Sequence, residues 1–186
     1  MVVQFIIKHL QQAKSTMGKT IGVLGGGQLG KMLFEAGSPA NVSYIFLEKT
    51  TDCPASLVCS NQVIGSLQDA TQIKVLAATS DILTYEIEHV NADALTLIEK
   101  AGTPVFPKPA ILSIIQDKGL QKQYYTNNEV ATLDFALATK EHLAESVATW
   151  SEDKFVLKHR KGGYDGKGVQ LLNKKKFNDL LTANDK

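Results

Sequence analysis

The stretch Thr20 to Leu33, "TIGVLGGGQLGKML", decides the fold. Five residues rich in β-branched and aliphatic side chains run into three consecutive glycines, and the next apolar residues, Leu29, Met32 and Leu33, recur at helical spacing. A strand that turns on glycine into a helix is the opening of a parallel α/β unit. The glycines have a chemical meaning as well. Without side chains they let backbone N–H groups approach a phosphate closely, and the start of the following helix favours its negative charge.

Outward from this turn the alternation continues. A strand is expected at 43–48, a helix near 69–78, a strand at 81–86, a helix over 91–101 stopped by Gly102, and a short strand at 104–106. This predicts one doubly wound, Rossmann-like domain over 17–110 with a parallel sheet. Pro104, Pro107 and Pro109 then mark a junction, because proline drives its predecessor out of the helical region. Residues 111–186 are expected to form a different, α+β unit: a helix at 110–126, a strand at 132–137, a helix at 140–149, and strands "KFVLKH" and "VQLL" around a glycine loop. The lysines at 174–176 read as a solvated helix start.

Composition bounds the function. The 186 residues carry 20 basic and 19 acidic side chains, a net charge of +1, so no overall field recruits nucleic acid or an anionic membrane. Any anion site must be local. Cys53 and Cys59 fit neither a zinc pair nor a redox CxxC and read as free thiols of a cytoplasmic protein. Residues 1–16 read as an extension, with Met17 as a second possible start, and their charges argue against a signal peptide or membrane span.

Three groups of residues carry chemistry. Gly25, Gly27 and Gly30 stand in the register G-x-G-x-x-G, and Glu48 follows Gly30 by eighteen residues, where a dehydrogenase would grip a ribose hydroxyl. A nicotinamide dinucleotide site is therefore open on this half alone, as is a tight turn with no ligand. In "TYEIEHV", Glu86 and Glu88 would share one face of an extended strand end, where ligands bind in parallel sheets, while His89 reads as structural. In "KHRKGGYDGKGVQ" (158–170), Lys158 closes a strand and Gly162, Gly163, Gly166 and Gly168 allow a flap whose amides close over phosphates. It is not a Walker A loop, because the register places Lys161 at the first glycine and Gly168 at the Ser/Thr position.

Taken in order, "GVLGGGQLGKML", "TYEIEHV", "IIQDKGLQKQ" and "FVLKHRKGGYDGKG" resemble the N5-carboxyaminoimidazole ribonucleotide synthetases, ATP-grasp ligases of purine biosynthesis. The resemblance covers 17 to about 176. It implies a pre-ATP-grasp domain followed by the first part of an ATP-grasp domain. It also implies a reaction in which ATP activates bicarbonate as carboxyphosphate, which carboxylates the exocyclic amine of 5-aminoimidazole ribonucleotide. Carried over by position, Lys118, Lys158 and the flap Gly163, Tyr164, Asp165, Gly166, Lys167, Gly168 and Val169 would bind ATP. Gln28, Leu29 and Glu86 would meet the ribonucleotide. Tyr164 and Asp165 would face the reacting amine and bind substrate, with Asp165 orienting or deprotonating it. Magnesium is implied, with ligands from a second lobe beyond residue 186, and dimers are common in the family. The formate-dependent glycinamide ribonucleotide transformylases share the early turn and "EIE", but "GGYDGKG" favours the carboxylating ligase. Outside that superfamily, a dehydrogenase domain and a non-catalytic nucleotide-binding module are the competing readings.

Overall fold

The computed structural model describes residues 18–163 and 167–184, so the extension and the flap residues Tyr164, Asp165 and Gly166 lie outside the described residues. The chain divides into two compact units, the first ending at Ser113 and the second beginning at Ile114.

In the first unit, β1 (Thr20–Leu24), β2 (Ser43–Glu48), β3 (Gln62–Ile64), β4 (Ile82–Tyr85) and β5 (Val105–Phe106) form one sheet in the order β3-β2-β1-β4-β5. Every pairing is parallel. The helices between them are α1 (Gln28–Gly37), α2 (Ala70–Ala78) and α3 (Ala92–Lys100), followed by α4 (Pro109–Gln116), which spans the division between the units. Strand β3 is an addition to the sequence reading. Its three residues are half-buried or exposed and gave no apolar run to detect.

Period-two alternation sorts the strand side chains into two cores. Ile21 and Val23 of β1 join Tyr44 and Phe46 of β2 on one face, with Leu33 of α1, Cys53, Ala55 and Cys59. Leu24, Leu47, Leu83 and Tyr85 face the other way, onto Ile73 and Leu76 of α2 and Leu95 and Ile98 of α3. Burial on both faces explains why β1 and β2 read as continuous apolar runs. Local capping sets the helix starts. The Asp69 side chain accepts from the Thr71 amide at 2.8 Å, and Asn91 accepts from the Ala94 amide at 2.9 Å. Both cysteines are buried free thiols.

The second unit holds α5 (Lys118–Asn127), α6 (Leu143–Thr149), an antiparallel hairpin of β6 (Lys154–Lys158) and β7 (Val169–Asn173), and α7 (Lys174–Asn184). Val147, Leu172 and Phe177 form its small core, with Leu143, Phe155 and Leu157 packed against it. The expected helix over 110–126 is two helices. Asp117 breaks it by leaving the helical conformation to cap α5, accepting from the amides of Gly119 and Leu120. The expected strand at 132–137 does not form, and Leu133 is 83% exposed. A strand needs a neighbour for its backbone groups, and among the described residues β6 and β7 pair only with each other. Lys174 is less solvated than the lysine run suggested. Its ammonium reaches the Trp150 carbonyl at 2.7 Å and the Ala148 carbonyl at 3.2 Å, closing the C-terminal end of α6.

Candidate functional site

In parallel sheets, ligands bind beyond the carboxyl ends of the strands where the strand order reverses. Here that edge lies between β1 and β4, and the glycine turn stands on it. Gly25 leaves β1 with φ +106°, a conformation that favours glycine, and its amide donates to the Leu47 carbonyl at 3.1 Å. The Glu86 amide, just past β4, donates to the Leu24 carbonyl at 3.2 Å, so the two strand ends are tied together.

The turn's amides are engaged by the protein's own carboxylates. The Gly26 N–H donates to Glu48 Oε2 at 2.9 Å, and the Gly27 N–H donates to Glu86 Oε1 at 3.2 Å. Glu48 also accepts from the Lys49 amide through Oε1 at 2.7 Å. A pyrophosphate laid on this turn as in a dinucleotide site would have to displace both side chains and would meet two negative charges. Glu48, placed by its spacing for a ribose contact, here closes the turn through the Gly26 amide.

Glu86 is half-buried. Burial raises its carboxyl above the ordinary range, the Gly27 amide pulls it down, and the nearby charge of Glu48 pushes it up again, for a net rise. It is therefore a carboxyl that takes up a proton more readily than a solvated one. Gln28 and Leu29 follow Gly27 as the exposed first residues of α1, so the structure brings Gln28, Leu29 and Glu86 to one edge. Strand β4 ends at Tyr85, so Glu86 and Glu88 are not successive members of one strand face. The pair of carboxylates that the structure assembles on the turn is Glu48 with Glu86.

The sequence reading also missed a support beneath the turn. A short helical turn at Pro54–Leu57 places the Ala55 amide on the Gly26 carbonyl at 2.9 Å, and Cys53 packs against Gly26, where a Cβ would lie 2.7 Å from its Sγ. The Pro-Ala-Ser run was the available signal for such a turn.

The lysines expected to meet phosphates lie in the second unit. Lys158 ends β6 opposite Val169, exposed on the hairpin's outer face, while Phe155 and Leu157 point inward. Lys118 opens α5, with its ammonium 3.3 Å from the Ile115 carbonyl. Of the flap, Gly163, Lys167, Gly168 and Val169 are described. Gly162 and Gly168 have φ of +77° and +75°, and the His159 amide donates to the Gly168 carbonyl at 2.8 Å, closing the flap's base. Asp117, which entered the sequence reading only as part of a motif, is 2% exposed and binds Arg160 Nε at 2.6 Å. Burial alone would raise its carboxyl. The hydrogen bonds from Arg160, Leu120 and Gly119 and the Arg160 charge outweigh that and hold it below the usual range. Its capping role was readable in "QDKGLQ", where an aspartate precedes a helix.

Among the described residues no group of three or more His, Cys, Asp and Glu side chains is placed to hold a metal ion. The described residues thus offer no ready-made donor set for magnesium. No described helix is long and apolar enough to cross a membrane.

The chain is similar in sequence and fold to known proteins. Residues 17–116 match the model of the ribonucleotide synthetase preATP-grasp domain. A phosphoribosylaminoimidazole carboxylase from Ogataea methanolica is 37% identical over 163 residues, covering 86% of this chain and 30% of the relative. The N5-carboxyaminoimidazole synthetase of Staphylococcus aureus, solved with ADP, superimposes with a TM-score of 0.81 at 26% identity over 91% of this chain and 45% of that one. The Aspergillus clavatus N5-carboxyaminoimidazole synthase, in complex with ADP and 5-aminoimidazole ribonucleotide, gives a TM-score of 0.74 at 27% identity, over 91% and 44%. The chain thus spans less than half the length of these relatives. With residues 17–116 matching the ribonucleotide synthetase preATP-grasp domain and these relatives aligned over most of its length, the chain belongs to the N5-carboxyaminoimidazole ribonucleotide synthetase family.

Proposed function

We propose that this chain is part of an ATP-dependent carbon-nitrogen ligase of purine biosynthesis, acting in the cytoplasm on 5-aminoimidazole ribonucleotide and bicarbonate. The observation that carries the reading is Glu86, held on the Gly27 amide beside the exposed Gln28 and Leu29. A carboxylate there offers hydrogen-bond acceptance to a hydroxyl-bearing or amine-bearing ligand and repels a pyrophosphate, which disfavours the dinucleotide alternative. The relative that holds ADP together with 5-aminoimidazole ribonucleotide supports the choice of substrates.

In this reading a bicarbonate oxygen attacks the terminal phosphorus of ATP, giving carboxyphosphate and ADP. The exocyclic amine then attacks the carboxyl carbon. The new N–C bond forms as the C–O bond to phosphate breaks, and the amine gives up a proton. Lys118, Lys158, Lys167 and the backbone amides of the flap from Gly163 to Val169, that of Gly168 included, neutralise charge on the phosphates. Gln28, Leu29 and Glu86 hold the ribonucleotide. Tyr164 and Asp165 face the amine, with Asp165 orienting it or taking its proton. Magnesium, when bound by other parts of the ligase, supplies further charge neutralisation. The activity belongs to the complete ligase, and assembly as a homodimer is part of the same reading. The 186 residues alone are expected not to turn over.

Transfer of label from isotopic bicarbonate to the ribonucleotide by the complete ligase tests this. Asp165→Asn should lower transfer by about 100-fold or more, the scale of a lost general base, while ATP affinity changes little. Transfer near the wild-type rate would remove that role, and formate incorporation in place of bicarbonate would move the protein to the transformylase branch.

A further inference from the structure

The carboxylate of Asp117 joins two segments that are 43 residues apart in sequence. Its Oδ1 accepts from the Gly119 amide at 2.9 Å, the Leu120 amide at 3.1 Å and Arg160 Nε at 2.6 Å, and Lys161 Nζ lies 3.8 Å from Oδ2. The backbone repeats the link, since the Lys118 amide donates to the Arg160 carbonyl at 2.8 Å. The approach is close enough that a Cβ on residue 119 would lie 2.8 Å from Arg160 Nε.

We propose that Asp117 and Arg160 form a clamp that positions the nucleotide-binding cations and the base of the flap. The proposal rests on the functional reading above, in which Lys118, Lys158 and the glycine flap serve ATP. Lys118 is the residue between Asp117 and Gly119, so its backbone is pinned on both sides and through its own amide. Lys158 lies two residues before Arg160, and the flap glycines begin two residues after it. One buried carboxylate therefore fixes where both lysines leave the backbone and where the flap starts. Asp117 is an acceptor only and repels phosphate, so it acts through these neighbours and is a positioning residue, not a catalytic one. Arg160, 53% exposed, closes the carboxylate from the solvent side while its own carbonyl holds Lys118.

The test uses Asp117→Asn, which keeps a capping oxygen but loses the charge, Arg160→Gln, and the double variant. In the complete ligase each single change should raise KM for ATP by about 10-fold and KM for the ribonucleotide, which Gln28, Leu29 and Glu86 of the first unit also hold in this reading, by clearly less, and the double should be no worse than the worse single. Additive effects, or equal changes in both KM values, would overturn the clamp. A second measurement needs no nucleotide. Hydrogen exchange of the Gly119 and Leu120 amides should quicken by about 10-fold in Arg160→Gln, although Arg160 bonds neither amide. Unchanged exchange would refute the clamp itself. Quickened exchange in a ligase indifferent to ATP would instead sink the functional reading, and with it the nucleotide role given to the clamp.

Discussion

Gly25→Ala should lower the stability of the first unit by about 3 kcal/mol, combining the cost of a residue held in a sparsely populated backbone region with the cost of overpacking. The first contribution comes from φ of +106°, which an L side chain rarely adopts. The second comes from Glu86. A Cβ on residue 25 would lie 2.5 Å from Glu86 Oε1, 2.8 Å from its Cγ and 2.9 Å from its Cδ. The carboxylate can move away, but only by giving up its hydrogen bond to the Gly27 amide, so stability and the presentation of Glu86 should fail together. Urea unfolding should show a lower midpoint with an unchanged slope. A shift of less than about 0.5 kcal/mol, the scale of an ordinary surface substitution, would mean that the turn is not held as described.

Phe46→Ala should cost more, about 3–5 kcal/mol, as expected for deleting a buried aromatic ring. Phe46 is fully buried on β2, stacks on Tyr44 with ring centroids 6.2 Å apart, and lies directly under the first helix, where a Cβ on residue 30 would meet its Cε1 at 3.2 Å. No neighbouring side chain is free to fill the gap, because Ile21, Val23, Leu33 and Tyr44 are already packed around the same core. Against a total stability of about 5–15 kcal/mol this is a large fraction, and α1 should loosen from the sheet. Calorimetric unfolding measures it. A loss below about 1 kcal/mol would show that the ring's place in the core is wrong.

The parallel sheet was legible because its central strands are buried on both faces and its turns carry glycine. β1 and β2 stand where the apolar runs predicted, and Asp69, Asn91 and Gly102 mark the helix ends around them. The second unit was less legible because its elements depend on partners distant in sequence. The segment 132–137 has strand composition but no strand to pair with among the described residues, and Asp117 turned one apparent helix into two. In the site, the glycines marked a tight strand-to-helix turn, and the spacing put an acidic residue, Glu48, beside it. What spacing could not give was direction. Glu48 points back onto the Gly26 amide, and Glu86, just past the end of β4, takes the Gly27 amide, 59 residues away.

In the proposed function, the glycine turn presents the Glu86 carboxylate to a ribonucleotide and disfavours a dinucleotide pyrophosphate. Backbone amide resonances of Gly26, Gly27, Gln28 and Leu29 report on it directly. Titration with 5-aminoimidazole ribonucleotide should shift all four in the wild-type chain and leave them nearly still in Glu86→Gln, whereas NAD should not move them. Shifts produced by NAD, with none from the ribonucleotide, would make the turn a dinucleotide site instead.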